Sequence, residues 1–410
     1  MNAQPAAPAS PGARVIVALG LSQLITWGIS FYLAGAFGPA IAADLGWSQA
    51  RVYGGFSLAI VTMGLASPLA GRAIDRRGGR SVMSAGCVLI AIGCLLLAWA
   101  HEPVGFYAAW TVLGLGMRLS LYDAAFATLA RIGGPASGRA MAQITLFGGL
   151  ASTVFWPVGS ALQAWLGWRG AVCCYAGFAL LVLPLHAALP ASRYTFQSAG
   201  APGADDGRGL ARTDTDRRRA GLLFAILAML TNFLAAGNAA HLIAVLGGLG
   251  LDAKAAVATA ALWGIGQVAA RLAEVLFGRR LHPLTLAVVA CAVLPCAFLA
   301  GLAAGVVPGA AVAFALCFGA CNGLLTITRG TLPLALFDAR TYGAFTGRLL
   351  APSFLLMAAA PPFFALILQE AGALAMLAVS LALAMTMLAA AVALRRRFLP
   401  AQATRPAQRG

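Results

Sequence analysis

Gly71-Arg72-Ala73-Ile74-Asp75-Arg76-Arg77-Gly78-Gly79-Arg80 gathers four arginines and an aspartate into ten residues. On either side, 52–71 and 81–100 carry no charged residue. Each run has the length, about 20 residues, that a helix needs to cross a bilayer. The basic stretch therefore reads as a short loop between two membrane helices, and the rest of the chain repeats the pattern. Charge-free runs also cover 15–43, 140–168, 170–192, 220–251, 281–328, 349–369 and 371–394. The run 281–328 has room for two helices joined near Gly305 to Pro308, while 104–130 and 255–278 are apolar with embedded charges. This patterning predicts an all-α membrane protein with twelve transmembrane helices. Their expected spans are 14–37, 52–72, 81–100, 104–130, 139–165, 168–190, 220–246, 254–278, 283–303, 308–334, 345–369 and 372–396.

Composition agrees. Of the 410 residues, 61% are hydrophobic and 10% charged, against about 45–50% and about 25% in soluble domains. A water-soluble globular protein is excluded. The net charge of +16 belongs to topology, because 21 of the 28 Lys and Arg fall on segments of one side. These are Arg14, the quoted loop, Arg131, Arg139, the loop 193–219, Arg279, Arg280, Arg340 and the C-terminal tail. The positive-inside rule puts those segments and both termini in the cytoplasm, and a nucleic-acid partner falls away. A bacterial inner membrane is the expected location. Residues 1–13 read as an Ala/Pro/Ser tail without a cleavable signal peptide, and the eight cysteines sit inside predicted helices, away from any exported disulfide framework.

A loop rich in Gly, Ala, Asp and Arg, 191–219, divides the chain into six-helix halves at 14–190 and 220–397, with tails at 1–13 and 398–410. The halves read as a diverged repeat. Shifting by 200 sets Gly64, Ala70, Ala73, Gly78 and Arg80 against Gly264, Ala270, Ala273, Gly278 and Arg280, at the ends of helices 2 and 8. Repeated halves of this kind hold a transport site at their interface.

The quoted stretch resembles the loop 2–3 signature of the major facilitator superfamily, G-x-x-x-D-R-x-G-R-R, with Gly79 in place of one basic residue. Gly167-Trp168-Arg169 also resembles this superfamily, whereas Trp156-Pro157-Val158-Gly159 departs from the G-P-x-x-G-G pattern of its drug antiporters. The resemblance covers residues 14–397 and implies two pseudo-symmetric six-helix bundles with helices 1, 4, 7 and 10 lining a central cavity. It implies a secondary active transporter working by alternating access on a small organic solute, with protons or another ion as coupling partner. The nearest subgroup is the bacterial monocarboxylate- and oxalate-carrier-like one, which implies an anionic solute such as a carboxylate and a cavity arginine on helix 8. Gly71, Asp75, Arg76, Arg80 and Arg131 then form a gating cluster, with Asp75 accepting bonds from a neighbouring helix N-terminus.

Charges inside a bilayer cost about 2.5–3.5 kcal/mol each and therefore tend to face a cavity. Arg271, four residues after Gln267 on helix 8, is the expected anion anchor through its bidentate fork, with Glu274 as an i,i+3 partner. Asp123 in helix 4 is the expected proton carrier, with His241 and Glu274 as further titratable groups. Arg118 is five positions from Asp123, a poor spacing for an intrahelical pair, so the partner of Asp123 is expected on another helix. Gln23, Trp27 and Tyr32 on helix 1, Asn232 and Asn238 on helix 7, Gln267, and Asn322 on helix 10 are expected to line the cavity, while Arg329 and Arg348 are expected to snorkel to the interface. Cys317 and Cys321 share a helical face, which raises trivalent-metalloid efflux as an alternative beside drug efflux. No H-E-x-x-H motif, Walker A motif or histidine–carboxylate cluster is present, which argues against an enzyme, a cofactor or an ATP-driven pump. No sizeable soluble domain supports a sensor. A monomer without bound metal is expected.

Overall fold

The structure, a computed structural model, describes residues 11–195, 209–278 and 281–399. The outer parts of both expected tails, much of the expected linker, and Arg208, Arg279 and Arg280 lie outside the described residues. Nine continuous helical runs among the described residues are long and apolar enough to span a membrane. Two of them cannot be single crossings. Pro103–Ala187 has 85 residues and Ala339–Phe398 has 60. At about 1.5 Å per residue the first alone would measure about 130 Å, against about 30 Å of hydrocarbon. Glycines in left-handed conformations fold these runs back: Gly134 (φ 53°), Gly167 (φ 68°) and Gly372 (φ 80°). Such angles are open to glycine and resisted by other residues. Three crossings and two crossings result, and the total is twelve.

In chain order these are α1 (Ala13–Leu45), α2 (Gln49–Arg77), α3 (Gly79–Trp99), α4 (103–133), α5 (138–166), α6 (168–187), α7 (Asp214–Gly248), α8 (Ala253–Phe277), α9 (Pro283–Leu302), α10 (Ala310–Leu336), α11 (342–371) and α12 (373–398). The protein is an all-α, multi-pass membrane protein. Helix ends differ from the hydropathy reading for local reasons. α7 starts at Asp214, inside the expected linker, because Thr213 caps it: the Thr213 hydroxyl accepts from the Asp216 N–H (3.1 Å) and donates to the Asp216 carboxylate (2.8 Å).

Each half is tied internally by a buried polar pair between its first and last helices. Ser22 Oγ lies 2.7 Å from His186 Nε2, joining α1 to α6, and the Asn238 amide donates to Ser380 Oγ at 3.1 Å, joining α7 to α12. The first pair lies toward the basic face, with His186 at the end of α6, and the second toward the other face, with Ser380 in the first turns after Gly372. Three helices of the N-terminal half are interrupted within their apolar spans. α1 has a π-turn at Trp27–Phe31, α4 an extended residue at Leu121 (ψ −172°), and α5 a break at Leu150. Non-helical backbone at membrane depth is tolerated only where protein or water covers it, so these breaks mark the level at which a site is built.

The halves meet along α2–α11 and α5–α8. Asp75 caps α11, accepting from the Gly343 N–H (3.0 Å) and the Ala344 N–H (2.7 Å). Just inside this cap, Gly71 and Gly343 bring the two backbones together, and Ser67 Oγ donates to the Gly347 carbonyl at 2.7 Å. Every hydrogen bond or ion pair described between the halves lies toward the face that carries the basic loops: 67–347, 75–343, 75–344, 123–329, 145–271 and 193–340. The molecule is closed at that basic face.

The Gly71 contact gives a direct test, because a methyl there would collide with the Gly343 carbonyl, which is backbone and cannot swing away. Gly71→Ala is expected to widen the distance between spin labels on the basic-face ends of α2 and α11. An unchanged distance distribution would mean that this close approach does not hold the closure.

Candidate functional site

Two adjoining side-chain groups each join the two halves. The first is built around Asp123 on α4. Arg329 of α10 donates to Asp123 Oδ2 at 2.8 Å, and Arg118 Nη1 stands 3.9 Å from the same oxygen. The break at Leu121 is what makes the Arg118 approach possible, since on an unbroken helix a five-residue spacing points the two side chains apart. Arg329 also donates to Asn232 Oδ1 (3.2 Å) on α7, whose amide donates to Ser353 Oγ (3.0 Å) on α11. The Phe354 ring lies under both guanidiniums, at 5.2 Å from Arg329 and 6.0 Å from Arg118. The expected snorkelling of Arg329 is corrected here. Its helix runs on to Leu336, leaving it a full two turns inside, where Asp123 holds it.

The second group is built around Arg271 on α8, which is 4% exposed. It donates to the Thr145 carbonyl of α5 (3.2 Å) and to Thr326 Oγ1 of α10 (3.2 Å). The expected pair with Glu274 is absent. Arg271 reaches across to α5 and α10, while Glu274, half a turn or more nearer the basic face, lines a separate cavity there. The Tyr122 hydroxyl donates to the same Thr145 carbonyl at 3.1 Å, and its ring lies 4.9 Å from that of Trp27. Gly148 and Gly149 of α5 leave the space that the Tyr122 hydroxyl and the Arg271 guanidinium fill. Tyr32, meeting Ser152 of α5, is near enough to feel the Arg271 charge. Thr326 and Arg329 are one turn apart on α10, so the two groups adjoin.

The charges do not balance. Arg118 (3% exposed) and Arg329 (20%) share one carboxylate, Asp123 (11%), and Arg271 (4%) in the adjoining group has none among the described residues. Asp123 Oδ1 and the Nε atoms of all three arginines have no partner among the described residues. Buried charge without a counter-ion is destabilising by several kcal/mol, so the arrangement is one that an incoming anion would complete.

Other expected site residues fall in different places. Gln23 lies beside the group, donating to the Ser120 carbonyl at 2.9 Å with Oε1 unpartnered. Gln267 and Asn322 are half-buried on α8 and α10 and make no side-chain hydrogen bond among the described residues. Asn238 is turned into its own half toward Ser380, and His241 Nε2 meets the Pro361 carbonyl of α11 at 2.9 Å, so neither joins the central groups. In the gating cluster, Gly71 and Asp75 meet α11, and Arg131 lies against Gly78. Arg76 and Arg80 are exposed and bond to nothing among the described residues, because the Asp75 carboxylate is committed to two backbone N–H groups and α2 carries Arg76 around to another face. Cys321 donates its thiol to the Ala290 carbonyl of α9 (3.2 Å), away from the interface. Tyr122, Thr145 and Ser353 were not singled out in the sequence.

Comparison with known proteins follows this geometry. The Major Facilitator Superfamily family model matches residues 19–347. Among curated relatives, "Multidrug resistance protein MdtL" of Klebsiella pneumoniae (strain 342) is 36% identical over 115 residues, 28% of this chain and 29% of that protein. MdtL of Escherichia coli (strain K12 / DH10B) is 35% identical over the same length, with the same coverage. The match thus spans under a third of these relatives. Among solved structures, the transporter FucP in the outward conformation superimposes with TM-score 0.71 at 14% identity, covering 92% of this chain and 99% of FucP. The human organic anion transporter MFSD10 (TETRAN) gives 0.68 at 18%, covering 93% and 100%. At these identities the structures speak for the fold.

Proposed function

The chain belongs to the Major Facilitator Superfamily, and from that premise we propose that it carries a small organic anion across the bacterial inner membrane by alternating access, coupled to protons. The observation that carries this reading is Arg271, a guanidinium buried between the halves with two neutral acceptors and no carboxylate. A substrate carboxylate would take the fork of Arg271, with Trp27 and Tyr122 against its organic part. Binding would draw α5 and α8 together from the side that is now open. With the basic loops in the cytoplasm, both termini are internal and the closed face is the cytoplasmic one, so the conformation described is outward-facing. Asp123 holds Arg329 across the halves. Protonating it would release Arg329 and Arg118 from their carboxylate and loosen that closure, which is how a proton would bias the cycle. Asp75 and Gly71 act as the gate on the same face.

The test is flux into proteoliposomes from a panel of organic anions, cations and neutral solutes, with and without an imposed pH gradient. Saturable uptake of an anion, accelerated by the gradient, is expected. Transport confined to cationic or neutral compounds would refute the anion reading. It would favour the second reading, drug efflux, which the likeness to MdtL over 115 residues supports.

A further inference from the structure

The polar side chains on the inner part of α1 fall into two sets. Ser22 pairs with His186, and the Thr26 and Ser30 hydroxyls donate to the carbonyls one turn back, those of Ser22 and Thr26. That set is satisfied within the N-terminal half. Gln23 and Trp27 are not. Gln23, 0% exposed, donates to the Ser120 carbonyl at 2.9 Å, yet its Oε1 has no partner among the described residues, and neither has the buried Nε1 of Trp27. The two residues are four apart and so share a face of α1. Trp27 is half-buried and stands one turn farther from the basic face. The π-turn that begins at Trp27, closed by the Tyr32 N–H on the Trp27 carbonyl at 3.1 Å, sets where the indole leaves the helix.

The orphaned atoms are opposite in kind. Gln23 Oε1 needs a donor, and the Trp27 Nε1–H needs an acceptor. A hydroxyl is both on one atom, whereas an ammonium cannot accept, a carboxylate cannot donate and a methyl does neither. We propose, resting on a carboxylate held by Arg271, that Gln23 and Trp27 form a hydroxyl subsite, so that the transported anion is a carboxylate bearing a hydroxyl remote from it. Tyr122 sets the separation. Its hydroxyl donates to the Thr145 carbonyl that Arg271 also meets, and its ring lies 4.9 Å from that of Trp27. Arg271 thus meets the hydroxyl end of Tyr122 and Trp27 meets its ring, which holds the two subsites farther apart than groups on neighbouring carbons can reach. The rings of Phe31 and Tyr122, at 4.7 and 4.9 Å from that of Trp27, crowd the indole and suit a hydroxyl better than a bulkier carboxamide.

The test measures dissociation constants for the full-length protein in detergent by isothermal titration calorimetry. The probes are hexanoate, its terminal-hydroxy, terminal-amino and terminal-amide derivatives, its alpha-hydroxy isomer, and hexanediol as the neutral member. The terminal-hydroxy acid is expected to bind about tenfold or more tighter than hexanoate, because hexanoate leaves both buried atoms unpaired. The alpha-hydroxy isomer, whose hydroxyl stays beside Arg271, is expected to show no such gain. Trp27→Phe removes the N–H and keeps a ring, and Gln23→Met removes the carbonyl and keeps the length. Each is expected to shrink the hexanoate to hydroxyhexanoate ratio severalfold toward unity, and because the ratio is taken within one protein, a general loss of affinity cancels. Equal binding of the two acids by wild type, which needs no variant to fold, would overturn the hydroxyl subsite and leave the anion reading standing. Tighter binding of the amino, amide or alpha-hydroxy compound than of the terminal-hydroxy acid would also overturn it. Hexanediol binding as tightly as the hydroxy acid would instead refute the carboxylate at Arg271 and the proposal with it, as would binding of none of the acids.

Discussion

Arg271→Gln is expected to raise the half-saturating concentration for an anionic substrate roughly a hundredfold, since removing one partner of a buried, hydrogen-bonded charge pair costs about 2–5 kcal/mol. Glutamine ends about where Arg271 Nε lies, short of Thr326, but the Thr326 hydroxyl keeps its bond to the Asn322 carbonyl at 2.8 Å and α8 and α10 stay packed along their length, so the loss falls on the charge. The Thr145 carbonyl keeps its Tyr122 partner at 3.1 Å in the variant, which leaves α4 and α5 joined. Removing this particular cation is not expected to destabilise the protein, because Arg271 has no carboxylate that would be left unpaired. Flux of the best anion found in the proteoliposome panel, measured against its concentration, provides the check. A half-saturating concentration equal to that of wild type would refute anion binding at Arg271. Arg271→Lys sharpens the result. It restores the charge without the planar fork, so a carboxylate bound at two points should recover only in part.

The architecture was legible in the sequence for a physical reason. Hydrocarbon forbids unpaired charge and demands about 20 apolar residues per crossing, so the charge-free runs had to be helices, and their ends were found to within a few residues at α3 and α9. Glycines at 167 and 372 turn the chain between apolar stretches; the gap between expected helices at 166–167 fell on the first, and the gap at 370–371 ended one residue before the second. Asp123 and Arg271 stood out because each is charged within an apolar span. What they touch was not legible. The Arg118 approach depends on one extended residue, Leu121, which composition does not record. The Arg271–Glu274 spacing satisfied a local rule, but the tertiary partners on α5 and α10 won. Asn238 lies on the same helix as Asn232, yet its carboxamide serves Ser380, because helical periodicity fixes a direction and leaves the neighbour undetermined. Tyr122 is one aromatic among many until Thr145 and Arg271 are seen around it.

Asp123→Asn is expected to abolish accumulation driven by a pH gradient while leaving exchange of the same solute between equal pools. Exchange needs the binding groups alone, whereas uphill movement needs a group that gains and loses a proton as the halves rock. The substitution also removes the one carboxylate that Arg329 and Arg118 share, and leaving such charges unpaired costs about 3–5 kcal/mol when they are buried. A loss of transport therefore has two possible origins, a missing proton carrier and a broken ion pair, and a second variant separates them. In Asp123→Asn/Arg329→Gln the stranded cation nearest the carboxylate is gone. The unfolding temperature should recover relative to Asp123→Asn alone, by the non-additivity that contacting residues show. If Asp123 serves only as a counter-ion to Arg329, gradient-driven accumulation should recover with it. If Asp123 carries the proton, the double variant should be stable, exchange its substrate and still fail to respond to the gradient, because no carboxylate remains at the junction of α4, α7, α10 and α11. Gradient-driven accumulation at the wild-type level in Asp123→Asn would remove this residue from the coupling mechanism altogether.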